Sequence, residues 1–239
     1  MPRFDAILFD LDNTLCRHEQ SAETIYRGAF EHAGVDPFGA PEELWRALDG
    51  DPPPRDSARY LADGFGRVAD RHGVSVDADA LAAGFLETVD YRAVSFCPGA
   101  ERALAAARDR ALVGLVTNGP SSRQSVKLDA LGLTSAFDVV VYAGDLPRRK
   151  PHPDPFDRAL ASLAVAPGSA LYVGDSVEHD VVGARRAGLR VAWCPADDET
   201  TAAYRQGEAA WPGGHEPDYV IDGVGELAAI LGDEQDRTE

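Results

Sequence analysis

The chain has 239 residues, and 23 basic against 40 acidic side chains give it a formal net charge of -17. This balance excludes the basic field that binds DNA or RNA, so we expect no nucleic-acid partner. Three cysteines that are far apart predict no disulfide framework, and no apolar run approaches the ~18 residues of a membrane span. We therefore expect a cytoplasmic protein that contacts no membrane.

The basic residues are almost all arginine, and Lys127 and Lys150 are the only lysines in the chain. A strongly acidic surface of this kind suits a high-salt environment, which we state as a hypothesis about surroundings and not about chemistry.

The first predicted element is the apolar run Ala6-Ile7-Leu8-Phe9, which ends abruptly at Asp10. A short, wholly apolar run is typical of a strand buried on both faces, and therefore of a parallel sheet. Similar runs lie at 112–116, 138–142, 170–173, 190–193 and 219–221. Helical patterns alternate with them at 99–110, 121–131, 154–164, 180–187 and 224–231. The alternation predicts an α/β fold with a doubly wound, mainly parallel sheet.

Residues 16–97 break this alternation, because they contain about four amphipathic helical stretches and no convincing buried strand. Ser21 and Asp77 are expected helix caps, and Pro41 is expected at a first helical position. We predict an all-helical domain at 16–97, inserted into a core formed by 1–15 and 98–239. Two further segments read as irregular: a stiff break at 51–54 and a long surface loop at 195–218.

An acidic pair, Asp10 and Asp12, follows the first predicted strand. Alternate side chains of an extended segment share one side, so both carboxylates can face one point. One could attack a substrate or bind a metal while the other transfers protons. The pair alone is equally compatible with a solvated turn.

Polar residues also follow the next predicted strands. Thr117 and Asn118 precede a helix and could hold an anion at its positive end, although such a turn is common at strand exits. Lys150 could neutralise a phosphoryl oxygen, although charge runs are usually solvated. Asp175 and Asp180 could bind a hard divalent cation such as Mg²⁺, although Asp180 could equally cap a helix.

All four groups fall at the carboxyl ends of predicted parallel strands, where open α/β sheets place their sites. Together they provide an acidic pair, a hydroxyl, a cation and further carboxylates. These are the components of phosphoryl transfer through an aspartyl-phosphate.

With these residues in order, the sequence resembles the haloacid dehalogenase-like hydrolases over essentially its whole length. Asp10 to Thr14 match the DxDxT motif of that superfamily, and Thr117, Lys150 and the segment from Asp175 to Asp180 match its three later motifs. The helical insert is similar to a subclass I cap, which would close over the site. The resemblance implies a sheet order of 5-4-1-2-3 with the last strand at an edge.

The resemblance also implies a role for each residue. Asp10 would be the nucleophile, and Asp12 the acid for the leaving oxygen and then the base for water. Thr117, the Asn118 backbone and Lys150 would bind the phosphoryl group. Mg²⁺ would be the cofactor, held by the Asp10 carboxylate, the Asp12 carbonyl, Asp175 and, directly or indirectly, Asp180.

The expected function is therefore a Mg²⁺-dependent phosphatase acting on a small phosphorylated metabolite. Asp12 disfavours a dehalogenase, which needs no second acid, while a phosphomutase stays open because it shares these motifs. A receiver-type signalling domain is disfavoured, since it lacks an acid two residues after its phosphorylated Asp and lacks the insert. A silent binding protein on the same scaffold also stays open.

Overall fold

A computed structural model describes residues 4–48, 57–196 and 198–232 of the chain. Its strands are β1 (Ala6–Phe9), β2 (Cys16–His18), β3 (Val94–Phe96), β4 (Leu112–Thr117), β5 (Val139–Tyr142), β6 (Ala170–Gly174), β7 (Arg190–Trp193) and β8 (Tyr219–Val220). Its α-helices are α1 (Ala22–Ala33), α2 (Pro41–Ala47), α3 (Ser57–His72), α4 (Ala78–Thr88), α5 (Ala100–Arg108), α6 (Ser121–Ala130), α7 (Asp154–Leu163), α8 (Gly183–Arg186), α9 (Asp198–Arg205) and α10 (Leu227–Gly232).

The chain divides into two compact units. One comprises Met1–Arg17 and Val94–Glu239, and the other comprises His18–Ala93. The predicted domain boundaries lay after residues 15 and 97. They are two and four residues away from the boundaries in the structure, which follow Arg17 and Ala93. The short strands β2 and β3, which pair with each other, occupy the two points where the chain passes between the units. Sequence patterns did not predict this pair, because three-residue strands are too short to show periodicity.

The core unit is built on a parallel sheet with the strand order β5-β4-β1-β6-β7-β8. The six predicted apolar runs correspond, in chain order, to β1, β4, β5, β6, β7 and β8. The predicted order 5-4-1-2-3 with the last strand at an edge is therefore the observed order read from the other end, and the α/β class is confirmed as well. β1 is central, since Phe9 pairs with Leu115 of β4 on one side and with Val173 of β6 on the other. Ile7 and Phe9 pack into one apolar layer while Ala6 and Leu8 pack into a second, so helices cover both faces.

The helical unit has its own apolar core, in which Tyr26, Phe30 and Phe65 are packed ring against ring. The predicted helix starts are confirmed: Ser21 caps α1, Asp77 caps α4, and α2 begins at its proline. The predicted break at 51–54 lies outside the described residues.

Two predictions for the carboxyl-terminal half were wrong. The segment 195–218 is not simply a loop, because it contains α9, where Tyr204 stacks on Trp211 and both rings pack against Trp193. The helix expected at 180–187 begins earlier, as a π-helix over Val177–Val182 that continues into α8. Among the described residues, no helix is both long enough and apolar enough to cross a membrane.

Candidate active site

The candidate site lies at the carboxyl end of the central strands, where β1 ends beside β6. The Asp10 amide donates to the Val173 carbonyl at 2.9 Å, which holds Asp10 in register with the sheet. The chain then turns back through Asn13, whose φ of 59° is left-handed, a conformation that Asn adopts more readily than most residues. Thr14 is buried in this turn, and its hydroxyl has no hydrogen-bond partner among the described residues.

Lys150 is placed by its backbone as well as by its side chain. The Asn118 side chain accepts from the Lys150 amide at 2.9 Å and donates to the Lys150 carbonyl at 3.0 Å. This reciprocal pair joins the end of β4 to the loop after β5. The Asn118 side chain therefore has a positioning contact that the sequence did not predict.

The Lys150 ammonium is buried and lies against three oxygens. It is 2.7 Å from Oδ1 of Asp10, 2.7 Å from Oδ1 of Asp180 and 2.8 Å from the Tyr172 hydroxyl. An ammonium has three N–H donors, so each has a partner. Burial alone would lower the pKa of Lys150, but the Asp10 and Asp180 carboxylates outweigh it and raise that pKa above its usual value.

The acidic residues of the cluster are crowded. Burial raises the pKa of Asp10 well above its usual value, with Lys150 acting in the opposite direction. Burial and then the neighbouring Asp180 raise the pKa of Asp175 to about 7. One carboxylate oxygen from each of Asp10, Asp175 and Asp180 lies within 4.8 Å of the others. If all three are ionised, one lysine leaves an excess of negative charge that a cation would neutralise.

Both oxygens of the Asp180 carboxylate have protein partners. Oδ1 contacts Lys150, and Oδ2 accepts from the Ser176 amide at 2.9 Å. Gly174 makes this packing possible, since a Cβ at that position would collide with the Asp180 carboxyl group. Asp180 is thus arranged to orient Lys150 and the loop that carries Asp175.

Asp12 lies in a separate environment, formed by α6. Its Oδ1 is 2.6 Å from the Lys127 ammonium, and its Oδ2 accepts from the Gln124 amide at 2.8 Å. The same Gln124 nitrogen is 2.6 Å from the Thr117 hydroxyl. The two carboxylates of the pair are therefore held by two different lysines.

The structure places the residues that the sequence singled out in two groups, one of Asp10, Asn118, Lys150, Asp175 and Asp180 and one of Asp12 and Thr117. It adds three buried residues that sequence reasoning missed: Gln124, Lys127 and Tyr172. A signal existed for Lys127, because a lysine in a chain that otherwise uses arginine is unusual. Tyr172 gave none, since it reads as an ordinary core residue of a strand.

Comparison with known proteins extends these observations. Residues 4–188 match the family described as haloacid dehalogenase-like hydrolase. The chain is 30% identical to ribulose-1,5-bisphosphate 5-phosphatase of Halopiger xanaduensis over 95% of this chain and 98% of that protein. It is 34% identical to phosphoserine phosphatase of Thermus thermophilus over 78% of this chain, but the match spans only 61% of that protein.

A solved structure of similar fold is that of a putative hydrolase, YfnB from Bacillus subtilis, bound to magnesium. It superposes with a TM-score of 0.75 at 22% identity, over 96% of this chain and 99% of that one. At this identity the likeness concerns the fold alone.

Proposed function

Because this chain belongs to the haloacid dehalogenase-like hydrolase family, we propose that it is a Mg²⁺-dependent phosphatase of small phosphomonoesters that works through an aspartyl-phosphate on Asp10. The observation that carries the proposal is the separation of the acidic pair. Asp10 is paired with Lys150 inside the carboxylate cluster, whereas Asp12 is paired with Lys127 on a different helix. Two carboxylates in different environments can perform two different tasks.

In the first step the Asp10 carboxylate attacks phosphorus and the ester oxygen leaves. Asp12 donates a proton to that oxygen, and the ionised Asp12 then takes a proton from the water that hydrolyses the aspartyl-phosphate. The Thr117 hydroxyl and the backbone N–H of Asn118 would donate to phosphoryl oxygens. Lys150 would offset the charge of the bound group while keeping Asp10 oriented.

The oxygen donors of the acidic cluster fit Mg²⁺, a hard cation that prefers carboxylates, carbonyls and water. The Asp10 carboxylate, the Asp12 carbonyl and Asp175 would hold it directly, and Asp180 would support the site through Lys150 and the Ser176 amide. The ion would neutralise charge on the phosphoryl group as it is transferred.

The site and the relatives support one substrate class. The proposed roles of the site residues concern the phosphoryl group, and they do not specify the alcohol to which that group is esterified. The relatives bear names of phosphatases acting on small phosphorylated metabolites, among them ribulose-1,5-bisphosphate and phosphoserine. We therefore place the substrate among small phosphorylated metabolites, with these two compounds as the first candidates.

The test is phosphate release from a panel of phosphomonoesters that includes these two compounds, with Mg²⁺ or with EDTA, at low and high KCl. Asp10→Asn is compared with Asp5→Asn, an identical change at an exposed position before β1. We expect Mg²⁺-dependent turnover by the wild type and by Asp5→Asn, and none by Asp10→Asn. Turnover in EDTA, or by Asp10→Asn, would contradict the proposal, and phosphoryl transfer without phosphate release would indicate a mutase.

A further inference from the structure

We propose that Gln124 and Lys127 of α6 are positioning residues for phosphoryl transfer: Gln124 sets the direction of the Thr117 hydroxyl hydrogen, and both residues orient the Asp12 carboxylate. This inference rests on the proposed function, which assigns the phosphoryl group to Thr117 and the proton transfers to Asp12.

The first support is the burial of two long polar side chains on one helix face. Gln124 is 1% exposed and Lys127 is 4% exposed, and Leu128 continues the same buried face. Burying an amide or an ammonium without a partner is costly, so polar residues at such positions need a specific contact. Here both side chains reach the same residue, Asp12.

A glycine provides the space for this arrangement. Gly119 lies in the turn between β4 and α6, and a Cβ at that position would collide with the Gln124 side chain. The turn is therefore shaped so that the Gln124 amide can lie between Thr117 and Asp12.

The second support is the orientation of the Gln124 amide, which the hydrogen-bond network determines. The amide end that faces Thr117 also faces the Asp12 carboxylate, at 2.6 Å and 2.8 Å respectively. An ionised carboxylate only accepts hydrogen bonds, so the atom between the two must be the NH₂ nitrogen. Its two hydrogens are then used on Asp12 and on the Thr117 oxygen.

This orientation has a consequence for Thr117. Because the hydroxyl oxygen accepts from Gln124, its own single hydrogen is directed elsewhere and can be donated to a phosphoryl oxygen. A residue at position 124 that accepted a hydrogen bond from Thr117 would reverse the direction of this bond. The Thr117 hydroxyl would then donate to residue 124 and present its oxygen to the phosphoryl group.

The third support is the way in which Asp12 is held. Lys127 binds Oδ1 and Gln124 binds Oδ2, so one turn of α6 fixes the whole carboxylate plane. The Asp12 side chain is 39% exposed, which leaves room for other rotamers once these contacts are lost. A proton donor must lie within hydrogen-bond reach of the leaving oxygen, so its orientation limits the rate.

The test uses two esters that differ in their need for a proton. A p-nitrophenyl leaving group departs as a stable anion, whereas an alkyl alkoxide must be protonated. For Lys127→Met we expect kcat/KM to fall at least ~10-fold more for the alkyl ester than for the nitrophenyl ester, because only the former depends on a well-placed acid. Lys127→Arg should recover most of the difference, and Ser125→Ala, an exposed position on the same helix, should behave as the wild type.

Gln124 is tested by anion binding. Gln124→Glu keeps the size of the side chain but offers acceptors to Thr117, so the dissociation constant for inorganic phosphate should rise about 10-fold or more. Gln124→Met, which neither donates nor accepts, should have a smaller effect. Thermal unfolding verifies that each variant is folded. If Gln124→Glu does not fold, the dissociation constant for phosphate is measured on Gln124→Met instead.

The outcomes separate this inference from the proposed function. If the wild type releases no phosphate, or Asp10→Asn remains active, the proposed function fails and this inference fails with it. If the wild type is active and Asp10→Asn is silent, but Lys127→Met slows both esters equally and Gln124→Glu binds phosphate normally, the positioning role alone is refuted.

Discussion

Replacing Lys150 by methionine tests whether the buried cation holds the acidic cluster together. Methionine preserves much of the volume of the side chain and removes its charge. In the wild type the ammonium lies 2.7 Å from both Asp10 and Asp180. The variant leaves two carboxylates buried without that partner.

The expected loss of stability is large. Removing one member of a buried ion pair costs about 3–5 kcal/mol, because the remaining charge stays buried without compensation. For a protein of this size, 1 kcal/mol corresponds to about 2–4 °C in Tm, so the melting temperature should fall by about 6–20 °C. The matched control is Arg148→Met, whose ion pair with Asp154 is exposed and should be worth at most about 1 kcal/mol.

The loss should also depend on pH. Lys150 lowers the pKa of Asp10, so its removal raises further a pKa that burial already raises. A group whose folded-state pKa is raised contributes stability that is full below its unfolded pKa and is lost as the pH rises through the folded pKa. The difference between Lys150→Met and the wild type should therefore widen as the pH rises through the range in which Asp10 ionises in the wild type.

The assay is thermal unfolding in EDTA at a series of pH values, together with the double variant Lys150→Met/Asp180→Asn. Removing one of the carboxylates should restore part of the lost stability. A change in Tm similar to that of Arg148→Met, or a loss that is the same at every pH and unaffected by Asp180→Asn, would refute the electrostatic reasoning.

Three further predictions concern the same fold. Since the pKa of Asp175 is raised to about 7, the metal-free protein should lose about 2–4 kcal/mol between pH 4 and pH 7, and urea unfolding of Asp175→Asn should show a flatter pH profile. Tyr172→Phe removes a hydroxyl partner of the buried ammonium and should cost about 1–3 kcal/mol in urea unfolding, whereas an unchanged midpoint would contradict that contact. Phe65→Ala leaves a cavity in the helical unit and should cost about 3–5 kcal/mol, seen as faster amide exchange in α3 and α4; wild-type exchange rates would argue against this core.

Several of the site residues that sequence patterns located lie at the end of a buried strand or directly after it. β1 and β6 read as short apolar runs, and Asp10 and Asp175 mark their ends, so the sheet order places them together. The role of these positions could be predicted from the sequence because a polar residue at the end of an apolar run contrasts with its neighbours.

The missed residues lack this contrast. Gln124 and Lys127 lie within a polar helix, where such side chains normally face solvent, and only the tertiary structure reveals that their face is buried. The helix α9 was missed for a related reason. Its polar sequence reads as a loop, and the aromatic contact that Tyr204 makes with Trp193 comes from a distant part of the chain.

The central place of β1 has a consequence for synthesis of the protein. Ala6 is made among the first residues, but its partners in the sheet are Leu112 and Ala170. At ~5–20 residues per second, a ribosome needs on the order of 10 to 30 s to supply the second partner. An apolar strand with two open edges is prone to aggregate during this interval, and flanking charges reduce that tendency. Asp5 and Asp10 flank β1 in this way, so the proposed nucleophile would protect the nascent chain before the active site exists.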